Sequence, residues 1–146
     1  MKEMDDLSSR LLFEVEKAFY DERGKGAKYR LTTIGVPYMK ELKPKCFDDL
    51  DQTAKAIKET SMAERIEFTE EDVSISAEVT NCYFRKVCDL FIAANMPPLS
   101  CPIGNIIMET LERKSGLSPE LLPVGIEGSL CKLTLVKMAT SDVVKG

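Results

Sequence analysis

The chain has 146 residues, of which 44% are hydrophobic and 30% charged, with 24 acidic against 20 basic side chains for a net charge of −4. That length and balance fit one domain with one sizeable core, and exclude a disordered or fibrous chain and a phosphate-tracking nucleic-acid face. The absence of histidine and tryptophan removes Ser-His-Asp and Cys-His catalysis and every imidazole-bound metal site, so a metal here must be held by thiolates, carboxylates or backbone.

Taken in chain order, Leu7, Leu11, Leu12, Val15, Ala18 and Phe19 recur at helical spacing behind Asp5 and Asp6, which predicts a first helix over about 5–20. Leu31, Ile34, Tyr38, Met39 and Leu42 predict a second helical stretch, split at Gly35 and Pro37. Phe47, Leu50, Ala54 and Ile57 predict a third helix over about 47–60. Period-two alternation then sets in, with Ile66 and Phe68, then Val73, Ile75, Ala77 and Val79 across the polar "TEED", and this predicts a hairpin with one wet face. Phe84, Val87, Cys88, Phe91 and Ile92 form the stripe of a short fourth helix that stops at "NMPP". The fifth helix is the best marked: Ser100 or Cys101 as cap, Pro102 in the first turn, Ile103, Ile106, Ile107 and Leu111 on the apolar face, Gly116 at the end. "PELLPVGI" and "LCKLTLVKM" predict two strands around "EGS", followed by a loose tail over 139–146.

The expected fold class is therefore α+β: a small antiparallel sheet of about four strands in two hairpins, covered by about five helices. It is divided into N-terminal helices (1–62), an α+β core (63–138) and the tail (139–146). No window has the apolar length of a membrane span and the start lacks a signal-peptide core, so the expected location is the cytoplasm and no membrane partner is expected. There is no nucleotide-binding glycine motif, and neither a nucleotide nor a nucleic acid is expected as partner. The apolar stripe of the first helix is the one clue to a protein partner, and it would serve a homodimer.

Chemistry rests on the five cysteines. Cys101 sits at a predicted helix N-terminus, where free N–H groups and the helix dipole favour a thiolate and should lower its pKa. Cys82 closes a predicted strand, and Cys131 opens the last one. Three cysteines at element ends can converge on a soft ion such as zinc, with Glu120 at the start of the penultimate strand as an oxygen ligand. The spacings of 19 and 30 residues match no CxxC knuckle, so scattered buried thiols is the simpler reading on spacing alone. Cys88 lies in the apolar stripe of the fourth helix and Cys46 lies beside Phe47; both read as small hydrophobes.

The hairpin ending "VTNC", the run "CPIGNIIMETLERKSG" and the closing "GIEGSLCKLTL" resemble the vinyl reductase-type (4-vinyl reductase-like) domain, in the superfamily of heme-NO-binding sensors and Golgi-tethering subunits. The likeness spans about Ile66 to Met138. It implies an apolar pocket for a small, hydrophobic molecule, lined here by residues such as Phe84, Phe91, Ile107 and Leu111. It also implies zinc held at Cys101, Cys131 and Glu120; Pro123 stands where that family has a further cysteine, and Cys82 is read as its replacement. The expected function is a small-molecule-binding or sensory domain with a structural zinc site, more a binding module than an enzyme. Two alternatives are a thiol redox sensor that pairs Cys101 with Cys82 or Cys131, and a hydrolase resembling aminothiazoline hydrolases with Cys101 as nucleophile.

Overall fold

The structure is a computed structural model that describes residues 2–24, 31–116 and 119–137; the expected tail over 139–146 lies outside the described residues. Among the described residues, five α-helices and a five-stranded antiparallel sheet give the α+β class. Helix α1 (Lys2–Arg23) extends about three residues beyond the expected span at each end. A 3-10 turn (Leu31–Thr33) precedes α2 (Val36–Leu42), so the second helical stretch is split as Gly35 and Pro37 predict, with Gly35 in the left-handed region at φ 94°. A second 3-10 turn (Pro44–Phe47) takes Phe47, the first residue expected of the third helix, and α3 (Leu50–Glu59) begins only after Asp49, whose side chain accepts the Gln52 N–H at 2.8 Å.

Strands β1 (Arg65–Glu70) and β2 (Ser74–Thr80) form the first hairpin, with Ile66, Ile75, Ala77 and Val79 turned inward. Val73, expected in the strand, falls in the turn and is exposed. Helix α4 (Arg85–Ala93) buries Val87, Cys88 and Phe91 while Ile92 faces outward. Helix α5 (Pro102–Ser115) runs from its Cys101 cap to Gly116, as the sequence predicts. The penultimate strand is broken in two, β3 (Glu120–Leu121) and β4 (Gly125–Glu127), because Pro123 between them has no N–H to give the ladder. Both halves pair with β5 (Leu130–Val136), and β5 pairs on its other edge with β2.

Among the described residues two apolar clusters result. The larger lies between the sheet and α2, α3 and α5, where Ile103, Ile106 and Ile107 are wholly buried at about 1.5–3 kcal/mol each. A buried hydroxyl pair, Thr53 and Thr110 at 2.8 Å, joins α3 to α5. The smaller cluster joins α1 to α4 through Phe13 and Phe91, edge to face at 4.7 Å, with Leu31, Val87 and Leu99 around them. No helix among the described residues is long and apolar enough to cross a membrane.

Candidate functional site

Four of the five cysteines converge at one end of the sheet. Register accounts for most of this: Cys131 opens β5 directly opposite Val79 of β2, and three residues after Val79 the chain delivers Cys82. Asn81 makes the turn with a left-handed φ of 53°, a conformation asparagine tolerates, and its N–H bonds Ser129 across the sheet end at 3.0 Å. The Cys82 carbonyl accepts the Arg85 N–H at 3.1 Å and its sulfur accepts the Phe84 N–H at 3.4 Å, so Cys82 closes the entry to α4. One turn further in, α4 points Cys88 inward. Cys101 caps α5, its sulfur accepting the Gly104 N–H at 3.3 Å. Gly104 keeps this end tight: a Cβ there would lie 2.8 Å from the tip of the Leu121 side chain, which would have to move, and 3.3 Å from the Cys101 sulfur.

All five cysteines are free thiols. The four at the sheet end are close enough that each charged sulfur would oppose ionisation of its neighbours: Cys131 acts on Cys82, Cys88 and Cys101, Cys82 on Cys88 and Cys101, and Cys101 on Cys88. Burial is the dominant influence on every one. It pushes Cys101 up to about 12 and Cys82 to about 11, against the opposing pull of the Gly104 and Phe84 N–H groups, and raises Cys88 further still. The expectation of a low pKa at Cys101 is therefore reversed: loss of solvent outweighs the helix N-terminus. Cys131 is also raised by burial, but the Arg85 guanidinium beside it opposes the rise. Arg85 in turn pairs with Asp89 at 2.9 Å and donates to the Gly128 carbonyl.

Cys88 is the site residue that sequence reasoning passed over. Its apolar neighbours on α4 account for a buried position equally well, and only the tertiary fold places it among the other three sulfurs. Cys46 stays apart, buried beside Phe47 in the larger cluster, as a packing residue. Glu120 is not brought to the sulfurs. It stands opposite Val136, five positions along β5 from Cys131, or roughly 17 Å at the rise of a strand, and its side chain is exposed. Among the described residues, no three Cys, Asp or Glu side chains are arranged to hold a metal ion, so the thiols stand near one another without closing on a common centre.

The four apolar residues expected around a ligand do not share a cavity. Phe91 belongs to the cluster under α1, Ile107 is wholly buried in the larger cluster, and Phe84 packs against its edge. Leu111 instead lines an open cleft of about 360 Å³ at the end of the sheet away from the thiols, with Leu50 and Ile75. A second cleft, of about 330 Å³, opens over the thiol group itself and is lined by Asn81, Cys82, Tyr83, Arg85 and Ser129, which gives Cys82 a route to solvent. Comparison with known protein families, with characterised proteins and with solved structures finds no match for this chain.

Proposed function

We propose that this domain is a small-molecule-binding or sensory module whose sheet end is fastened by a soft metal ion, zinc first, at Cys82, Cys88, Cys101 and Cys131. The observation that carries the reading is the convergence of four thiols from three segments, the entry and first turn of α4, the cap of α5 and the start of β5, at one end of the sheet. The likeness of the Cys-Pro helix start and the closing strand to vinyl reductase-type domains supports it from the sequence.

The donor set fits a thiophilic ion. Four thiolates around a divalent cation leave an excess negative charge, and the surroundings already oppose it with the N–H groups of Phe84 and Gly104 and the guanidinium of Arg85. When bound, such an ion would supply structural cross-linking of these three segments. Cys101 and Cys82 hold the N-termini of α5 and α4 to it, Cys131 holds the central strand, and Cys88 holds the first turns of α4 down. With no histidine in the chain, the commonest base for a cysteine nucleophile is missing, and a binding role is preferred to an enzymatic one.

The thiol-pairing alternative draws on the same convergence, since two neighbouring thiols yield a disulfide by giving two electrons and two protons to an oxidant. The raised pKa values weigh against it. Burial pushes the Cys101 thiol up to about 12, so little of it is thiolate at neutral pH, and the thiolate is the species that reacts.

The test is a pair of thermal melts of the purified protein, with and without a strong chelator. A structural ion contributes on the order of 10 kcal/mol to folding, so the chelated protein should melt well below the zinc-loaded one. Coincident melts would remove the metal from the account.

A further inference from the structure

We propose that the cleft between the last turn of α5 and the far end of the sheet takes the free carboxylate of a medium-chain alkyl acid, its tail on Leu50, Ile75 and Leu111 and its head group at Lys114. This rests on the ligand-binding half of the reading above and names its ligand class. The cleft, of about 360 Å³, is at the small end of ligand sites and admits a short, single-tailed molecule.

Its floor is apolar: Ile75 is buried, and Leu50 and Leu111 pack half-exposed against the larger cluster. Its rim is charged and unevenly balanced. Lys137 is engaged, pairing with Glu70 at 2.9 Å and donating to the Glu71 carbonyl at 2.9 Å. Lys137 first, and Lys114 more weakly, hold the Glu70 carboxyl below the usual carboxylate range, so Lys114 feels Glu70 while Lys137 takes most of its charge. Lys114 lies three residues from Leu111 on the same face of α5, which sets an ammonium beside the apolar floor. The C-terminal end of the α5 dipole takes back about half a unit of positive charge, and the Ser115 hydroxyl, donating to the Leu111 carbonyl at 2.7 Å, covers one of the carbonyls responsible. What remains is a modest positive bias over an apolar floor. A neutral apolar molecule would waste Lys114, and a multiply charged anion would meet Glu70.

The probes are octanoate and 1-octanol, titrated into the full chain and followed by amide chemical shifts. Octanoate should bind about tenfold tighter than octanol and shift residues 111–115 and 137. K114M should remove that tenfold preference and leave octanol unchanged, while E70Q, which frees Lys137, should tighten octanoate alone. Both side chains are exposed, and an unaltered melt of each variant separates binding from folding. Equal affinity for the two probes, or an octanoate response indifferent to Lys114, overturns the carboxylate and leaves the ligand-binding reading standing. Silence of the cleft to both probes overturns the carboxylate and takes this site from that reading. Association with vesicles of anionic phospholipid, with no response to octanoate in solution, would overturn the proposal and assign the cleft to a membrane surface.

Discussion

Changing Asn105 to alanine tests whether the turn over α5 is held by side-chain hydrogen bonds. Asn105 is 3% exposed, and its amide nitrogen donates to the Leu31 carbonyl at 2.9 Å and the Ile34 carbonyl at 3.0 Å. Together these fasten the 31–34 turn across the first turns of the helix that Cys101 caps. In the variant Leu31 keeps the Ser100 hydroxyl at 3.0 Å, whereas Ile34 loses the Asn105 donor. Losing the donor to this partly buried acceptor costs about 1 kcal/mol, and the space left by the buried amide adds about 2, for a total of about 3 kcal/mol. For a chain of this length that is a fall in Tm of roughly 6–12 °C, read by calorimetry or circular dichroism. Asn105→Asp keeps the shape but removes both donors and faces a carboxylate against two carbonyl oxygens, so it should be at least as damaging. An Asn105→Ala protein melting within about 2 °C of the parent, or an aspartate variant more stable than the alanine one, would refute the reasoning.

Glu16 is buried on α1, its Oε1 has no hydrogen-bond partner among the described residues, and burial raises its pKa from 4.5 to about 7. The folded state thus holds the proton more tightly than the unfolded one, so the associated stability is present below pH 4.5 and lost as pH rises to about 7. The loss should be on the order of 2 kcal/mol after solvent screening is allowed for, and Glu16→Gln should flatten that slope in denaturant titrations at pH 5 and pH 8. Thr53→Val strands the Cys46 carbonyl, which the Thr53 hydroxyl reaches at 2.6 Å, and should cost about 1–3 kcal/mol by chemical denaturation. Because the four sheet-end thiols are protonated at neutral pH, zinc binding should release about four protons per ion and tighten steeply as pH rises; calorimetry in buffers of different ionisation enthalpy counts them.

Much of the fold was legible because local signals agreed with tertiary ones. Helix α5 has a cap, a proline, an apolar face and a terminal glycine that point the same way, and β1 and β2 alternate cleanly enough to set their own inward face. The failures share a cause, in that each depended on what lay across from a residue rather than beside it. Glu120 looked like a ligand from its place before Cys131 in the chain, but antiparallel pairing carries it to the opposite end of β5. Cys88 looked like packing because its α4 neighbours are apolar, and the sulfurs around it come from β5, the α4 entry and the α5 cap. At Cys101 the helix N-terminus was visible in the sequence, while the burial that outweighs it was not. Leu7, Leu11 and Val15, read as one apolar stripe of the first helix, are more than half exposed, whereas Phe13, between them in the chain, is the residue buried against Phe91.

The claim of a four-thiol centre is tested most directly by the zinc content of the purified, zinc-equilibrated chain and of its five single cysteine-to-serine variants. The account predicts about one ion per chain in the parent and in Cys46→Ser, with loss or marked weakening in Cys82→Ser, Cys88→Ser, Cys101→Ser and Cys131→Ser. A parent that retains no zinc, or a Cys88→Ser protein that binds it as tightly as the parent, would contradict it.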